Sequence, residues 1–310
     1  MNRLAGIATA AVGLIIAILG AIKIVPGVTG TGVFLILFGG LVIGLSFINR
    51  PETEDAEKMS TAATLGNIFI APTETFKNLR RHPRFLVALL IMTVLSATFT
   101  NLFFYRLGAE RIVNFQVDKT LEMSMIANNE DAKKQVEAGR AQAIIDANSG
   151  MLRVTQTFAT FAGFGFVYAI LAGVFMLFAL AMGGKINFFQ AFSAAVYAAF
   201  PVSVIKFVLN TLVLFLKNPD EIHPILGQQQ ALVQDSLNFL VKSSENPVLF
   251  TLLGATSLIG LYWVWLNATG LKNAGERVTG TIAWSASLGI FFVIILLGVA
   301  MATLFPSFIS

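Results

Sequence analysis

Three polar residues fall on one face of an otherwise apolar stretch of the chain. Ser203, Lys206 and Asn210 are spaced i, i+3 and i+7, and residues at that spacing share one side of a helix. Pro201 precedes them and leaves a backbone carbonyl without its usual N–H partner. A charged side chain inside a membrane costs on the order of 2.5 to 3.5 kcal/mol on insertion scales, so Lys206 should face protein or water.

Two interpretations of these four residues, called the polar stripe below, stay open. In the functional interpretation, they line a gate or a substrate path at a broken helix. In the structural interpretation, Lys206 points inward and donates a hydrogen bond to a neighbouring helix, for example to Asn267 or Gln156, or extends to the membrane surface. The stripe is therefore a candidate intramembrane polar site.

The residue patterns of known enzyme classes do not occur in this sequence. His82 and His223 are the two histidines, and there is no cysteine. Neither a zinc-binding histidine pair, a nucleophile elbow nor a phosphate-binding glycine loop occurs. No carboxylate lies within an apolar run, although a proton-coupled pump usually keeps one there. We therefore expect a non-enzymatic protein without a catalytic residue, cofactor or metal site.

Composition indicates a membrane protein. Hydrophobic residues make up 56% of the 310 residues and charged residues 12%, against about 25% charged residues in an average soluble domain. The mean hydropathy is +0.77. The net charge of +4 is small and clustered, which is typical of a topology signal and not of nucleic-acid binding. Membrane lipids are the expected partners, and nucleic acid is not.

The apolar runs predict an all-α polytopic membrane protein with about seven transmembrane helices. Residues 1–48 are expected to form a transmembrane hairpin, in which Gly40 and Gly44 have a spacing that permits close helix approach. Residues 49–63 are a polar cytoplasmic linker, and residues 64–310 a five-helix membrane domain. Its spans are expected at 85–105, 154–182, 189–216, 248–271 and 279–305, with exterior helical loops at 106–152 and 217–246, the second containing a helix from Gln228 to Val241.

Residues 65–82 predict an amphipathic helix that lies in the membrane interface. Phe69 and Phe76 recur near helical spacing and would enter the lipid. The nearby bases would meet anionic headgroups, each contributing about 1 kcal/mol, and they also satisfy the positive-inside rule. The candidate headgroup contacts are Lys77, Arg80, Arg81 and Arg84.

The distribution of bases predicts the orientation of the chain. If successive spans cross the membrane in opposite directions, one side of the membrane carries Arg3, residues 49–84, Lys185, Lys272 and Arg277. The side richer in Lys and Arg is cytoplasmic. The N-terminus is then cytoplasmic and the C-terminus outside. The three tryptophans fall near the cytoplasmic boundary, as an aromatic belt requires.

Two segments carry a resemblance to a known family. The order Gly183-Gly184-Lys185, then Phe188-Phe189-Gln190-Ala191-Phe192, then Tyr197-x-x-x-Pro201 resembles the bacterial branch of the Yip1-domain membrane proteins. The stretches 68–76 and 81–84 resemble the same family's entry segment, and the resemblance covers roughly residues 64 to 305. We take Gly183, Gly184, Lys185, Tyr197 and Pro201 as the family-like motif.

The resemblance implies five membrane helices after a cytosolic N-terminal part. Eukaryotic members are linked to Rab GTPases and vesicle traffic, but this chain lacks the Asp-Leu-Tyr-Gly-Pro signature that precedes their domain. By resemblance we expect a scaffold or adaptor in a bacterial cytoplasmic membrane, with a membrane or peripheral protein partner and self-association both open. The alternative is a transporter, channel or lipid-moving protein that uses the polar stripe. The glycines of the predicted span 154–182 would then allow helices to slide past one another. However, the two halves of the chain show no clear inverted repeat, which many transporter folds have.

Overall fold

The computed structural model describes residues 2–22, 24, 29–45, 58–224 and 232–306. In these ranges the chain is helical, with one isolated antiparallel bridge between Lys185 and Glu276 and no strand. The helices are α1 (Asn2–Ala21), α2 (Thr29–Leu45), α3 (Thr61–Ile70), α4 (Pro72–Arg81), α5 (Leu86–Leu107), α6 (Ala109–Glu122), α7 (Ser124–Ala127), α8 (Glu130–Asn148), α9 (Gly150–Ala181), α10 (Phe188–Leu216), α11 (Pro247–Gly254), α12 (Leu258–Ala274) and α13 (Gly280–Leu304).

Four of the described helices, α5, α9, α10 and α13, are long and apolar enough to cross a membrane. They contain 22, 32, 29 and 25 residues, and a bilayer requires about 20. Helices α11 and α12 form a fifth span if they are taken together, with a bend of 49° between them. These four or five spans lie where the sequence places the five spans of the membrane domain.

The N-terminal helices α1 and α2 pack closely against each other. Their apolar parts, Gly6–Ala21 and Thr29–Gly44, are shorter than the roughly 20 residues of a full span, so they are not counted among the spans. A Cβ built on Gly13 would lie 2.7 Å from Leu35, and Gly32 meets Ala17 as closely. The spacing of Gly40 and Gly44 permits such a contact, but a Cβ on either would meet no described atom of another helix within 4 Å, so they do not form it.

The single interfacial helix expected over 65–82 is two helices that meet at Ala71. Pro72 begins α4, and because proline disfavours helical geometry in the residue before it, the chain turns there. Phe76 is fully buried and Phe69 is 39% exposed. The prediction that both rings enter lipid is therefore wrong for Phe76, because its ring packs against other residues of the protein.

The predicted span 189–216 is not broken at Pro201, because α10 runs through this residue as one helix. Phe189 to Pro201 is buried throughout, and membrane helices tolerate proline where neighbouring groups compensate for the lost hydrogen bond. The break lies instead in the predicted span 248–271, between α11 and α12. There the N–H groups of Ala255, Thr256 and Ser257 bond to carbonyls three residues back, which tightens the last turn before the chain bends.

Clustering of contacts divides the chain into two compact units. The first unit is Met1–Leu95, Met151–Ser203 and Trp265–Ser287, and the second is Ser96–Gly150, Val204–Val264 and Leu288–Ser310. The core of the first unit includes an edge-on contact of Phe85 with Phe192, whose ring centroids are 4.4 Å apart. The core of the second unit consists of Phe103, Leu107, Ile112, Leu214 and Ile222.

Two loops of the second unit differ in regularity. Residues 106–152 contain α6, α7 and α8, and Arg140 of α8 donates to Asp118 of α6 at 2.7 Å. The helix expected from Gln228 to Val241 is not present in its described part, where residues 232–241 contain one 3-10 turn, Leu237–Leu240. Residues 228–231 lie outside the described residues. The segment bonds to neighbouring elements through side chains instead of forming its own helix.

Candidate functional site

The Gly-Gly-Lys turn between α9 and α10 is held by a second turn, between α12 and α13. The Lys185 N–H donates to the Glu276 carbonyl at 2.7 Å, and the Glu276 N–H donates back to the Lys185 carbonyl at 2.6 Å. Gly183 has φ +81°, a conformation that residues with a Cβ rarely adopt. A Cβ on Gly184 would lie 3.0 Å from the Ala179 carbonyl oxygen and 3.2 Å from Val278. Both glycines are therefore needed to close this turn.

Gln190 connects the start of α10 to the end of α4. Its backbone N–H donates to Asn187 Oδ1 at 2.9 Å, and its Oε1 accepts from the Asn187 N–H at 3.0 Å, which is a reciprocal capping arrangement. Its Nε2 donates to the Arg80 carbonyl at 3.0 Å, and the side chain is buried. Carbonyls at the end of a helix lack partners within it, so this bond attaches α4 to α10.

Tyr197 and Pro201, the remaining residues of the family-like motif, are buried in the first unit. Arg84 interacts electrostatically with Tyr197 and donates through Nη2 to Asn78 Oδ1 at 2.9 Å. Partial burial lowers the pKa of the Arg84 guanidinium, because burial disfavours the charged form. Arg84 is thus turned into the protein, in contrast to its expected contact with headgroups.

Three of the four candidate headgroup residues line a cleft of the first unit, and Arg84 does not. The basic cleft, as we call it, has a volume of about 330 Å³ and is lined by Lys77, Arg80, Arg81 and Lys272, and Glu74 is the one carboxylate among the described residues of its lining. Lys77 pairs with Glu74 at 2.8 Å, and Arg80 lies 3.5 Å from Glu276. Four cationic side chains in one recess form a site for an anion.

The structure divides the polar stripe. Ser203 donates to the Ala199 carbonyl of its own helix at 3.0 Å, and Pro201 is buried. Lys206 and Asn210 belong to the second unit, where they line a cavity of about 640 Å³. Asn210 Oδ1 accepts from the Val233 N–H at 3.2 Å. Lys206 and Asn210 thus share this cavity, whose described lining does not include Pro201 or Ser203.

The wall of this polar cavity includes Asp235 and His223. Asp235 Oδ2 accepts from Ser257 Oγ at 2.6 Å and from the Ile259 N–H at 3.0 Å, so it caps the start of α12. His223 rests edge-on against Phe115, with ring centroids 4.6 Å apart. Burial first, and then the charges of Lys119 and Arg111, lower the pKa of His223 below 6.5.

Comparison with known proteins decides the family. The family model of the Yip1 domain matches residues 66–302. The chain belongs to the Yip1 family. No curated protein and no solved structure matches it. The matched residues begin in α3 and end in α13, so the Yip1 domain contains the basic cleft, the polar cavity and every counted span, and the chain is an integral membrane protein.

Within the described residues, the Yip1 domain brings together no group of three or more His, Asp or Glu side chains that could hold a metal ion. The sequence singled out neither Lys272 nor Asp235 as a site residue. Lys272 could have been found, because it is the base in the last turn of a span. Asp235 carried no local signal, since its partners lie 22 and 24 residues away.

Proposed function

We propose that this Yip1-family protein is a non-enzymatic scaffold or adaptor that organises the membrane or a membrane-bound partner. One observation carries the proposal: the motif residues of the domain serve packing and turn closure, as at Lys185 with Glu276. The polar surfaces that suit this role are the basic cleft and the exposed faces of the helices α6 to α8. Such surfaces suit contact with lipids or proteins.

The proposal includes a topology and a location. The hairpin α1–α2 would add two spans to the five of the domain, with neighbours or local thinning compensating for its short apolar parts. The distribution of basic residues supports a cytoplasmic N-terminus and a C-terminus outside. The membrane is a bacterial cytoplasmic membrane by resemblance, and the partners are membrane lipids, a membrane or peripheral protein, or a second copy of the chain.

The chain contains no cysteine, so single cysteines test the topology directly. In intact cells, a membrane-impermeant maleimide should label Glu137→Cys and should not label Lys185→Cys until the membrane is permeabilised. Both side chains are exposed in the structure. Labelling of Lys185→Cys in intact cells, with Glu137→Cys protected, would reverse the orientation.

Photo-crosslinking in native cells tests the adaptor role. One probe replaces Ile70, which is 82% exposed at the end of α3, and another replaces Val136 of α8. A control probe replaces Leu296, an apolar residue of the span α13 that is 50% exposed. We expect one reproducible protein partner at Ile70 or Val136 that the control does not capture. Lipid adducts alone at all three positions would remove the adaptor role.

The second candidate is a transporter, channel or lipid-moving protein, and the polar cavity of about 640 Å³ favours it. Lys206 and Asn210 line this cavity from α10, as they would line a path. Proteoliposomes containing the protein should then show solute flux or lipid scrambling that Lys206→Ala reduces. Lys134→Ala, which changes an exposed base of α8, is the matched control. Absence of flux in the wild-type protein would eliminate this candidate.

A further inference from the structure

One face of α10 forms a wall of the polar cavity in the second unit. Lys206, Leu209, Asn210 and Lys217 line the cavity, and residues at these spacings lie on one side of a helix. Lys217 follows the last residue of α10, where the helix dipole favours a cation. Lys206 lies ten residues before the end of α10, roughly 15 Å along the axis, where the dipole gives no such support.

Lys206 is a cation within a span, and no described residue neutralises it. Helix α10 is one of the counted spans, and a charged group within a span is costly unless it is paired or faces water. Lys206 makes no hydrogen bond or ion pair with a described residue, and its exposed side chain lines the cavity. Residues 225–231, which lie outside the described residues, contain no acidic side chain.

Asn210 supplies a second donor one turn further along the same face. Its Oδ1 accepts from the Val233 N–H at 3.2 Å, so its amide nitrogen keeps two N–H donors. No described residue accepts a hydrogen bond from this nitrogen. Side chains four residues apart on a helix are neighbours. The ammonium group of Lys206 and the amide of Asn210 can therefore reach the same oxyanion.

The two carboxylates of the described lining, Asp235 and Glu221, have other positive partners. Asp235 accepts two hydrogen bonds at the start of α12, where the helix dipole also favours an anion. Glu221 belongs to the turn beyond the end of α10, four residues after Lys217. A base and an acid therefore offset each other at that end of the cavity, and the charge of Lys206 remains.

The remaining lining adds an apolar side to the cavity. Leu209, Phe250 and Ile259 line it from α10, α11 and α12. Its volume of about 640 Å³ lies within the range of about 300 to 1,000 Å³ of small-molecule sites, which combine apolar walls with a few polar groups. One uncompensated cation matches a ligand with one negative charge, because a second negative charge would meet Asp235 and Glu221 without a counter-charge.

We propose that the polar cavity binds a small organic monocarboxylate. Its two oxygens accept from the Lys206 ammonium group and the Asn210 amide, and its apolar body lies against Leu209 and Phe250. The hydrogen bond from a charged donor to a carboxylate is the strong one of the two. The inference goes beyond the scaffold role, and it holds whether or not the protein moves the ligand across the membrane.

Fluorine NMR of para-fluorobenzoate with the purified full-length protein in neutral detergent measures the binding. We expect Lys206→Gln to weaken it about tenfold or more, because a charge-assisted hydrogen bond is lost. Lys206→Arg keeps the charge and should stay within about threefold of the wild type. The neutral para-fluorobenzamide has nearly the same shape and should bind about tenfold more weakly. Equal binding of acid and amide, or no binding of the acid, would overturn the proposal.

Asn210→Asp tests the second donor without removing the bond to Val233. The variant keeps an oxygen that accepts from the Val233 N–H and places a carboxylate next to Lys206, so binding of para-fluorobenzoate should be abolished. Binding that stays at the wild-type affinity would remove Asn210 and the two-donor geometry.

Lys242→Gln is the matched control for Lys206→Gln. It removes the same charge from the same lining, but Lys242 is paired with Glu245 at 2.9 Å, so affinity should change by less than about twofold. Equal losses in the two variants would show a general charge effect and overturn the site. Inorganic phosphate that displaces para-fluorobenzoate at equal concentration would overturn the carboxylate assignment. Each of these failures leaves the scaffold role standing, because the crosslinks at Ile70 and Val136 test it separately.

Discussion

The two units of the chain treat polar groups in different ways. In the first unit, Lys185 and Glu276 bond through their backbones, and buried Gln190 bonds to Asn187 at the start of its own helix and to the Arg80 carbonyl of α4. In the second unit, Lys206, Asn210 and Asp235 line an open cavity of about 640 Å³, and a few hydrogen bonds, most of them to side chains, attach the 232–240 segment to its neighbours. The first arrangement fixes one conformation, whereas the second leaves room for a ligand or a rearrangement.

The residues that carry the family resemblance are therefore different from the residues that could contact a ligand. All five residues of the motif lie in the turn before α10 or at buried positions of the first unit, where Gly183 closes the turn and Tyr197 is 1% exposed. The side chain of Lys185 is exposed, but its backbone is bonded to Glu276. A family pattern of this kind reports a stable architecture, so sites of action must be sought in exposed charge and in cavities.

Removal of a core ring from the first unit should have the largest effect on stability. Phe76 is fully buried, and a Cβ built on Gly270 would lie 3.1 Å from its ring. Phe76→Ala should lower the free energy of unfolding by about 3 to 5 kcal/mol, because the cavity left behind adds to the lost burial. Denaturant unfolding in detergent, followed by tryptophan fluorescence, measures the change.

Phe239→Ala is the matched control for Phe76→Ala, since it makes the same change in the second unit at a residue that is 59% exposed. We expect it to change stability by less than about 0.5 kcal/mol. Equal losses in the two variants would mean that the second unit is packed as tightly as the first, and the contrast between them would fail.

Loss of the Asp235 carboxylate should have an intermediate and local effect. This side chain caps α12 from the 232–240 segment, through bonds to Ser257 and Ile259. Asp235→Ala should destabilise the break between α11 and α12 by about 1 to 2 kcal/mol, as loss of a helix cap does. Hydrogen exchange followed by mass spectrometry should show faster exchange in residues 232–260 and unchanged exchange in α10.

The control for Asp235 is Glu245→Ala, which removes an exposed carboxylate that pairs with Lys242 at 2.9 Å. Because exposed pairs of this kind contribute at most about 1 kcal/mol, exchange across residues 232–260 should stay near the wild-type rate. Faster exchange throughout both units in Asp235→Ala would show that the two units unfold together, and the comparison would then need revision.

The sequence predicts the architecture better than it predicts the exposed faces. The counted spans follow from apolar length, and the Gly183-Gly184 turn from glycine chemistry, both of which are local properties. An amphipathic pattern does not distinguish an apolar face that contacts lipid from one that packs on protein. For this reason the pattern predicts lipid contact for Phe76, whereas the structure buries this residue in the protein. Pro201 predicts a break in its own span, but the break lies between α11 and α12, where Ser257 donates to Asp235, a residue 22 positions away in the sequence.

The candidate site shows the same limit. Lys77, Arg80 and Arg81 could be predicted as a group because they follow one another in α4. Lys272 joins them in the basic cleft only through the tertiary fold. Arg84 belongs to the same sequence cluster, but it donates a hydrogen bond to Asn78 and does not line the cleft. Proximity in the sequence therefore identified the basic character of the site but not its members.

The smallest expected effect is the pH dependence contributed by His223 of the second unit. Its Nδ1 is buried and has no hydrogen bond to a described residue, and burial with nearby Lys119 and Arg111 lowers its pKa below 6.5. A lowered pKa means that the unfolded chain binds the proton more readily, so stability is full above about pH 6.5 and falls as the pH drops below it.

Unfolding of the wild-type protein and of His223→Gln, measured between about pH 5 and 8, tests this dependence. The difference in stability between the two proteins should be constant above about pH 6.5 and should shift against the wild type at lower pH. His82→Gln changes the other histidine, in the first unit, and keeps His223, so it should retain the wild-type slope. If the slope is instead lost in His82→Gln and kept in His223→Gln, the acid-sensitive histidine lies in the first unit. The hydrogen bonds of the first unit would then not prevent its loss of stability at low pH.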